Sequence, residues 1–402
     1  MRVATAHSYD STIGNLNKRQ SELSDLQERI STGKRVLRAS DDPVAAVLAE
    51  SAQNKLSRVA ADQRALEHSR TSITQAESAL GQAGTLVQDM RDVLVAAGNA
   101  TYGSREYKNL AQELEGLRDQ LFGVANQRDS AGRTLFGGLG GSSTPFVEVY
   151  GPTGGTVRFD GQRGQEASGN NALPQALDGE AVFLKVPPGN GSFTIDLGAA
   201  NTGGVRADTG RVSNPSAMTG HDYTVSFADV AGVMEYSVTD NTTGNTVASA
   251  PYTPGATLEF DGIAFQVAGA PASGDSLDVK AVTTPTDLFQ VVQTAIDALK
   301  GAGSGQSASL VHTLGRSLTE LDAGHDRLLA ARSQTGAWLN RADRIDSLLS
   351  NRELAHEAEK SDLEDLDMVQ GISDFQNQQT GLQAAMTAYA QVQKLSLFQF
   401  VG

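Results

Sequence analysis

Apolar positions at the two ends of this chain fall into narrow helical stripes, and neither stripe is wide enough to close on itself. From Met368 to Gln393 the stripe advances in alternating steps of four and three through Ile372, Phe375, Gln379, Leu382, Met386 and Tyr389. Near the start, Tyr9, Ile13, Leu16, Leu23, Leu26 and Ile30 draw a similar line, with Gln20 and Gln27 set into it. A stripe of this width is a coiled-coil seam rather than the face of a core helix, so each needs a partner, and the opposite terminus is the expected one. Phe398 and Phe400 close the tail. Together these positions are the predicted assembly interface, and the seam glutamines specify register at some loss of stability.

Between the seams the pattern changes twice. A first helix is expected from about Ser8 to Ser31, stopping at Gly33, where positive φ suits a glycine. Asp42 is placed to cap the next helix, with Pro43 at its first position. Val59, Leu66, Ile73, Leu80, Val87 and Leu94 then recur by sevens, which predicts about 55 residues of helix on the order of 80 Å long. A third helix follows the break at Gly98 to Gly103, carried by Tyr107, Leu110, Leu114, Leu117, Leu121 and Val124. Glycine then becomes dense and short alternating runs appear, such as Tyr223 to Phe227, Met234 to Val238 and Thr257 to Phe260. Turn signals at Asn241-Thr242-Thr243-Gly244 and Asp261-Gly262 separate them, so antiparallel hairpins are expected. Helix resumes near Thr286, breaks at Gly301 to Gly305 and runs to about Glu359 through Leu314, Leu321, Leu328 and Leu349. Gly324 and Gly336 inside it predict close approach of a neighbouring backbone. Ser361-Asp362-Leu363-Glu364 has the form of a capping box and predicts a new helix start.

The order of elements is nearly palindromic. The expected fold is α+β, an elongated discontinuous α-helical coiled-coil bundle formed by both chain ends, with an inserted antiparallel β-rich domain. Residues 1–40 and 361–402 are the expected assembly helices, 41–136 and 285–360 the two parts of the helical domain, and 137–284 the insertion.

Composition narrows the class. Only 39% of the 402 residues are hydrophobic and 5% aromatic, too few for one large core. The formal charge of −15 argues against nucleic acid or an anionic membrane, because phosphate binding needs clustered Lys and Arg. Cysteine is absent, which removes disulfides and thiolate chemistry together. No apolar run fits a signal peptide or a membrane span, so no membrane insertion is expected, and an extracellular destination would need a route without a cleaved signal.

The search for catalytic chemistry gives no candidate. Gly33-Lys34 resembles a phosphate loop only in passing, because Glu28 stands where its first glycine belongs and Arg35 where Ser or Thr should follow. Gly137, Gly138, Gly140 and Gly141 lack the flanking strand and helix of a dinucleotide site. His7, His68, His221, His312, His325 and His356 form no helical pair for a metal and are expected on the surface. The acidic run Glu357, Glu359, Asp362, Glu364, Asp365 and Asp367 is expected to be solvated, and Asn190-Gly191-Ser192 and Asn241-Thr242-Thr243 match a glycosylation pattern that often arises by chance. Catalytic residues, metal ligands and cofactors are all expected to be none.

Several motifs carry a family resemblance. Ile30-Ser31-Thr32-Gly33-Lys34-Arg35-Val36, followed by Ala39-Ser40-Asp41-Asp42-Pro43-Val44-Ala45-Ala46, resembles the N-terminal signature of flagellins and their relatives. Met1-Arg2-Val3-Ala4-Thr5 is more specific, as is the tail Ser361 to Met368 with Gln378-Gln379-Thr380-Gly381-Leu382-Gln383-Ala384-Ala385. They resemble the hook-associated branch of that family, and Leu395-Ser396-Leu397-Phe398 completes the tail. The likeness spans roughly the first 140 and last 115 residues, and Val267 to Asp275 is similar to a hairpin of hook-associated proteins. Filament flagellins usually begin and end differently from this chain, which closes Phe398-Gln399-Phe400-Val401-Gly402.

The resemblance implies a structural subunit of the bacterial flagellum at the hook-filament junction, exported unfolded through the type III apparatus to the cell exterior. It implies terminal helices that order on docking. It also implies as partners further copies of the chain in a ring or helical layer, a neighbouring hook-associated protein, flagellin and a cytoplasmic export chaperone. A filament flagellin and a cytoplasmic coiled-coil signalling protein are the alternatives.

Overall fold

The computed structural model describes residues 2–140, 144–151, 154–164, 173–303, 305 and 307–401, and their side chains except in 2–9, 150–155 and 392–401. Three helices come first: α1 (Arg2–Thr32), α2 (Pro43–Ala97) and α3 (Ser104–Ala125). The hairpin of β1 (Phe146–Gly151) and β2 (Gly154–Phe159) and the short α4 (Gly179–Phe183) follow. Then come β3 (Phe193–Leu197), β4 (Arg206–Ala207), β5 (Arg211–Val212), β6 (Tyr223–Val230), β7 (Val233–Asp240), β8 (Thr246–Pro251), β9 (Thr257–Phe260), β10 (Ile263–Ala268) and β11 (Ser276–Ala281). The chain ends with α5 (Leu288–Gly301), α6 (Ala308–Glu364) and α7 (Met368–Val401).

Local chemistry accounts for most of these boundaries. Gly33 ends α1 at φ 71°, where a side chain would be strained. Asp42 caps α2 by accepting the Ala45 N–H at 3.0 Å, and Asp287 caps α5 by accepting that of Gln290 at 2.7 Å. The expected start at Ser361 is not observed. Ser361 lies inside the last turn of α6, its carbonyl accepts the Asp365 N–H at 2.8 Å, and its hydroxyl bonds the Asp365 carboxylate. A cap must leave helical geometry, and Ser361 does not. The break comes three residues later, where backbone bonds to Gly33, Arg35 and Val36 draw Glu364 and Leu366 out of the helix. Asp367 then caps α7, accepting from Val369 and Gln370 at 2.9 and 3.1 Å.

Two compact units divide the chain, one of Met1–Ala65 with Arg344–Gly402, the other Leu66–Asp343. The second holds two hydrophobic cores. In one, Leu80, Val87 and Leu94 of α2 meet Leu114 and Leu121 of α3, Phe289 and Ile296 of α5, and Leu321 and Leu328 of α6. Phe146 and Val157 of the first hairpin and Phe183 of α4 join this helical core, with Phe146 and Phe183 ring centroids 5.5 Å apart. The other core lies wholly among the later strands, from Phe193 to Val279. The division between cores therefore falls inside the span 137–284. Alternation shows which residues share a strand face but not which core that face meets.

The later strands form two antiparallel sheets, one ordered β3-β11-β6-β7-β8 and the other β4-β10-β5, with β9 also on β10. The β9–β10 turn runs through Asp261 and Gly262 at φ 42° and 77°, the paired positive angles of a tight hairpin. One histidine departs from expectation: His312 on α6 is buried, because sheet-edge carbonyls face both its ring nitrogens.

The two helical glycines differ from expectation and from each other. A Cβ on Gly324 would lie 2.2 Å from Leu288 Cδ2, so the close approach is made by a side chain, not a backbone. A Cβ on Gly336 would meet nothing within 4 Å beyond its own helix. Gly324→Ala should therefore destabilise the protein by about 1–3 kcal/mol through overpacking. Gly336→Ala should stabilise the free chain by up to ~1 kcal/mol through helix propensity. Urea unfolding of the two variants checks this directly.

A second expectation concerns Asp287. Burial pushes its carboxyl up to about 6, against the lowering pull of the Gln290 and Phe289 N–H groups and of Arg118. The folded state thus holds this proton more tightly than the unfolded chain, so its contribution is fully present below about pH 4 and lost as pH rises to about 6. Asp287→Asn keeps a capping oxygen without the charge. It should be more stable than the parent by about 1–2 kcal/mol above pH 7, a gap that closes near pH 4 when melting is followed across that range.

Candidate assembly interface: the terminal helix pair and its clasp

In the unit made by both chain ends, the two helix breaks are stitched together. Lys34 and Asp365 form an antiparallel bridge. Leu366 N–H donates to Gly33 O at 2.8 Å, and Arg35 N–H to Glu364 O at 2.6 Å. Lys34 Nζ reaches Glu364 Oε2 at 2.7 Å, and Arg35 Nη2 donates to Leu363 O at 2.8 Å. The Asp41 carboxylate accepts the N–H groups of Leu37 and Arg38 at 3.1 Å each, and those bonds, that of Arg38 first, hold it below the usual carboxylate range. The basic segment after Gly33 and the acidic segment after Ser361 are therefore halves of one clasp, more than 300 residues apart in sequence.

On one side of the clasp, α2 and α6 pack tightly. Ala45, Ala49, Ala52 and Val59 are buried there with Ile345 and Leu349, and Lys55 pairs with Glu359 at 3.1 Å. Small residues let the backbones approach, so this pair excludes water with little side-chain volume.

On the other side, α1 and α7 pair without a core. Leu16, Leu23, Leu26, Ile30, Phe375, Leu382 and Tyr389 are each half-buried. Ile13, Ile372 and Met386 remain 43%, 44% and 50% exposed. The side chains of Tyr9, Phe398 and Phe400 lie outside the described residues. Among the described residues, no apolar side chain of α1 or α7 is buried. Across the pair, Gln378 Nε2 donates to Glu22 at 3.5 Å while its Oε1 is buried without a partner. A Cβ on Gly371 would lie 2.8 Å from Leu366 just before α7 and 3.6 Å from Ile30 of α1, and one on Gly381 would lie 2.9 Å from the mobile guanidinium end of Arg19.

Sequence reasoning missed these glycines and the clasp residues Lys34, Arg35, Glu364 and Leu366. The signal available was the opposite charge of two short motifs. It also missed Val44, Val47, Leu354 and Val369, which are 64–82% exposed in the same unit. Val44 and Val47 sit three apart on the face of α2 opposite its buried alanines, so they widen the apolar surface that the unit presents.

The site offers apolar surface and register rather than reactive groups. Among the described residues no group of His, Cys, Asp and Glu is placed to hold a metal ion, and no described helix is long and apolar enough to cross a membrane.

Comparisons with known proteins match three segments of the chain. Residues 3–140 match the bacterial flagellin N-terminal helical region and residues 318–401 its C-terminal helical region. Residues 198–281, which contain most of the second core, match the D2-like domain of flagellar hook-associated protein 1. The chain is 28% identical to flagellar hook-associated protein 3 of Escherichia coli over 99% of each. It is 25% identical to the flagellin of Salmonella berta over 69% of this chain and 54% of that one. The crystal structure of the flagellar junction protein FlgL from Legionella pneumophila superimposes with a TM-score of 0.68 at 25% identity, covering 73% of this chain and 99% of that one.

The clasp should behave as a coupled pair. Lys34→Glu and Glu364→Lys should each speed proteolytic cutting around residue 34 roughly two- to fivefold, as loss of a partly exposed ion pair warrants. The double reversal should restore the parent rate; additive acceleration would mean that the two side chains do not hold the breaks together.

Proposed function

The chain belongs to the flagellin family, and on that premise we propose that it is a structural, non-enzymatic subunit joining hook to filament in the bacterial flagellum. The observation that carries this reading is the α1–α7 pair, whose described apolar side chains are half-buried at most while the adjoining α2–α6 pair in the same unit is closed. A seam that stays half-wet gains its full hydrophobic stabilisation when a further surface covers it. Neighbouring copies of the chain in a ring or helical layer supply that surface, with a second hook-associated protein on the hook side and flagellin on the filament side. The near-complete mutual coverage with hook-associated protein 3, against 54% of a flagellin, supports the junction over the filament.

The proposed location is the outside of the cell, reached unfolded through the flagellar export apparatus without a cleaved signal. A chain free of cysteine suits that passage. Before export, a cytoplasmic chaperone covers Phe375, Leu382, Met386 and Tyr389, because an exposed seam otherwise associates prematurely. Deleting 362–402 should abolish its capture.

Leu382→Asp and Met386→Asp test the reading. A charge buried without a partner at a closed interface costs several kcal/mol, whereas in the free chain both positions still reach water. Each variant should melt like the parent, be exported, and leave hooks without stable filaments in a junction-defective strain. Loss of stability in the free chain would place α7 in the protein's own core instead. Rescue of a filament-protein mutant, rather than a junction mutant, by the parent chain would replace the junction reading with the filament one.

A further inference from the structure

His312 stands on α6 against the edges of both β sheets. Its Nδ1 lies 2.9 Å from Ala207 O on β4, and its Nε2 lies 2.9 Å from Ile195 O on β3. Each of these strands is at the edge of its sheet. A carbonyl on an unpaired edge, once covered, needs a donor from elsewhere. A neutral imidazole carries one N–H, so in either tautomer its second nitrogen turns a lone pair toward a carbonyl oxygen. The imidazolium alone donates on both sides.

The following turns of α6 continue the grip. Arg316 donates to Asp196 on β3 and, through Nε, to Glu320 at 2.8 Å. Glu320 is buried and accepts the Gly189 N–H at 2.9 Å. The charged groups around this face are Arg316 and Glu320 on α6, Asp196 on β3, Lys280 on β11 (3.6 Å from Asp196), Arg206 on β4 and Asp208 just after it. Three are basic and three acidic, and Arg316, the like charge one turn from His312, is itself paired to two carboxylates. A further positive charge on the ring therefore meets a neighbourhood that is balanced before it arrives. A cavity of about 390 Å³, lined by His312, Arg206, Asp208, Gly315 and Thr319, opens beside the ring. Water can reach both carbonyls through it when the ring withdraws.

We propose that His312 is a proton-dependent latch: protonated, it fastens the edges of both sheets to α6, and on losing its proton to solvent it releases one of them. The latched form binds one proton more than the released form. Latching is therefore strongest on the acid side and weakens as pH rises, by up to about tenfold per pH unit for one linked proton.

The test uses the full chain labelled with 15N-histidine, with His312→Gln assigning the signal among the six histidines. Long-range proton–nitrogen correlation should show both ring nitrogens protonated wherever residues 193–209 are protected. Hydrogen exchange of that segment, corrected for the intrinsic pH dependence, should accelerate in the parent as pH rises. His312→Gln should exchange fast with no such slope, and His312→Arg, a permanent double donor, should stay protected throughout. A neutral His312 ring in a chain whose 193–209 segment is protected would overturn the proposal. So would a parent-like slope in His312→Gln.

Discussion

Two paired helices cannot exclude water from a seam that neither of them covers. Fully burying a leucine or phenylalanine contributes about 1.5–3 kcal/mol, and half-burial roughly half of that, while fixing each backbone residue costs about 1–2 kcal/mol. The α1–α7 pair sits on the wrong side of that balance, with its described seam residues half-buried at best and Ile13, Ile372 and Met386 further exposed. The shoulder formed by α2 and α6 does not, because Ala45, Ala49 and Ala52 close it. One unit thus contains a finished interface and an unfinished one, separated by the clasp at Lys34 and Asp365.

The clasp gives the unfinished pair its register. Backbone bonds from Leu366 to Gly33 and from Arg35 to Glu364 fix where α1 ends relative to where α7 begins. Gln20, Gln27 and Gln379 are exposed, so they add no buried apolar surface to the pair. A pair held in register but short of a core is suited to accept further helices from neighbouring subunits. In the other unit the helical and β cores are each closed, so their stability does not wait on assembly.

Much of this was legible in the sequence because helical steps of three and four, sevenfold recurrence and Asp-Gly turns are local signals. The seams, the start of α2 at Pro43, the stop at Gly33 and the Asp261-Gly262 hairpin all follow from such signals. What was not legible depends on residues distant in sequence. The clasp joins segments that no periodicity connects, and the same contacts moved the α7 cap from Ser361 to Asp367. The first hairpin looks like the later ones along the chain yet packs Phe146 and Val157 into the helical core. His312 carries no local sign that two sheet edges will meet it, and Gly324 none that Leu288 will occupy the space of its missing Cβ.

Hydrogen exchange on the free chain and on the assembled junction tests most directly whether the terminal pair is completed by assembly. In the free chain, residues 10–32 and 368–391 should exchange orders of magnitude faster than the α2–α6 pair of the same unit, and in the assembly they should become as protected as that pair. Equal protection of the two pairs in the free monomer would contradict it, since α1 and α7 would then hold a core without their neighbours.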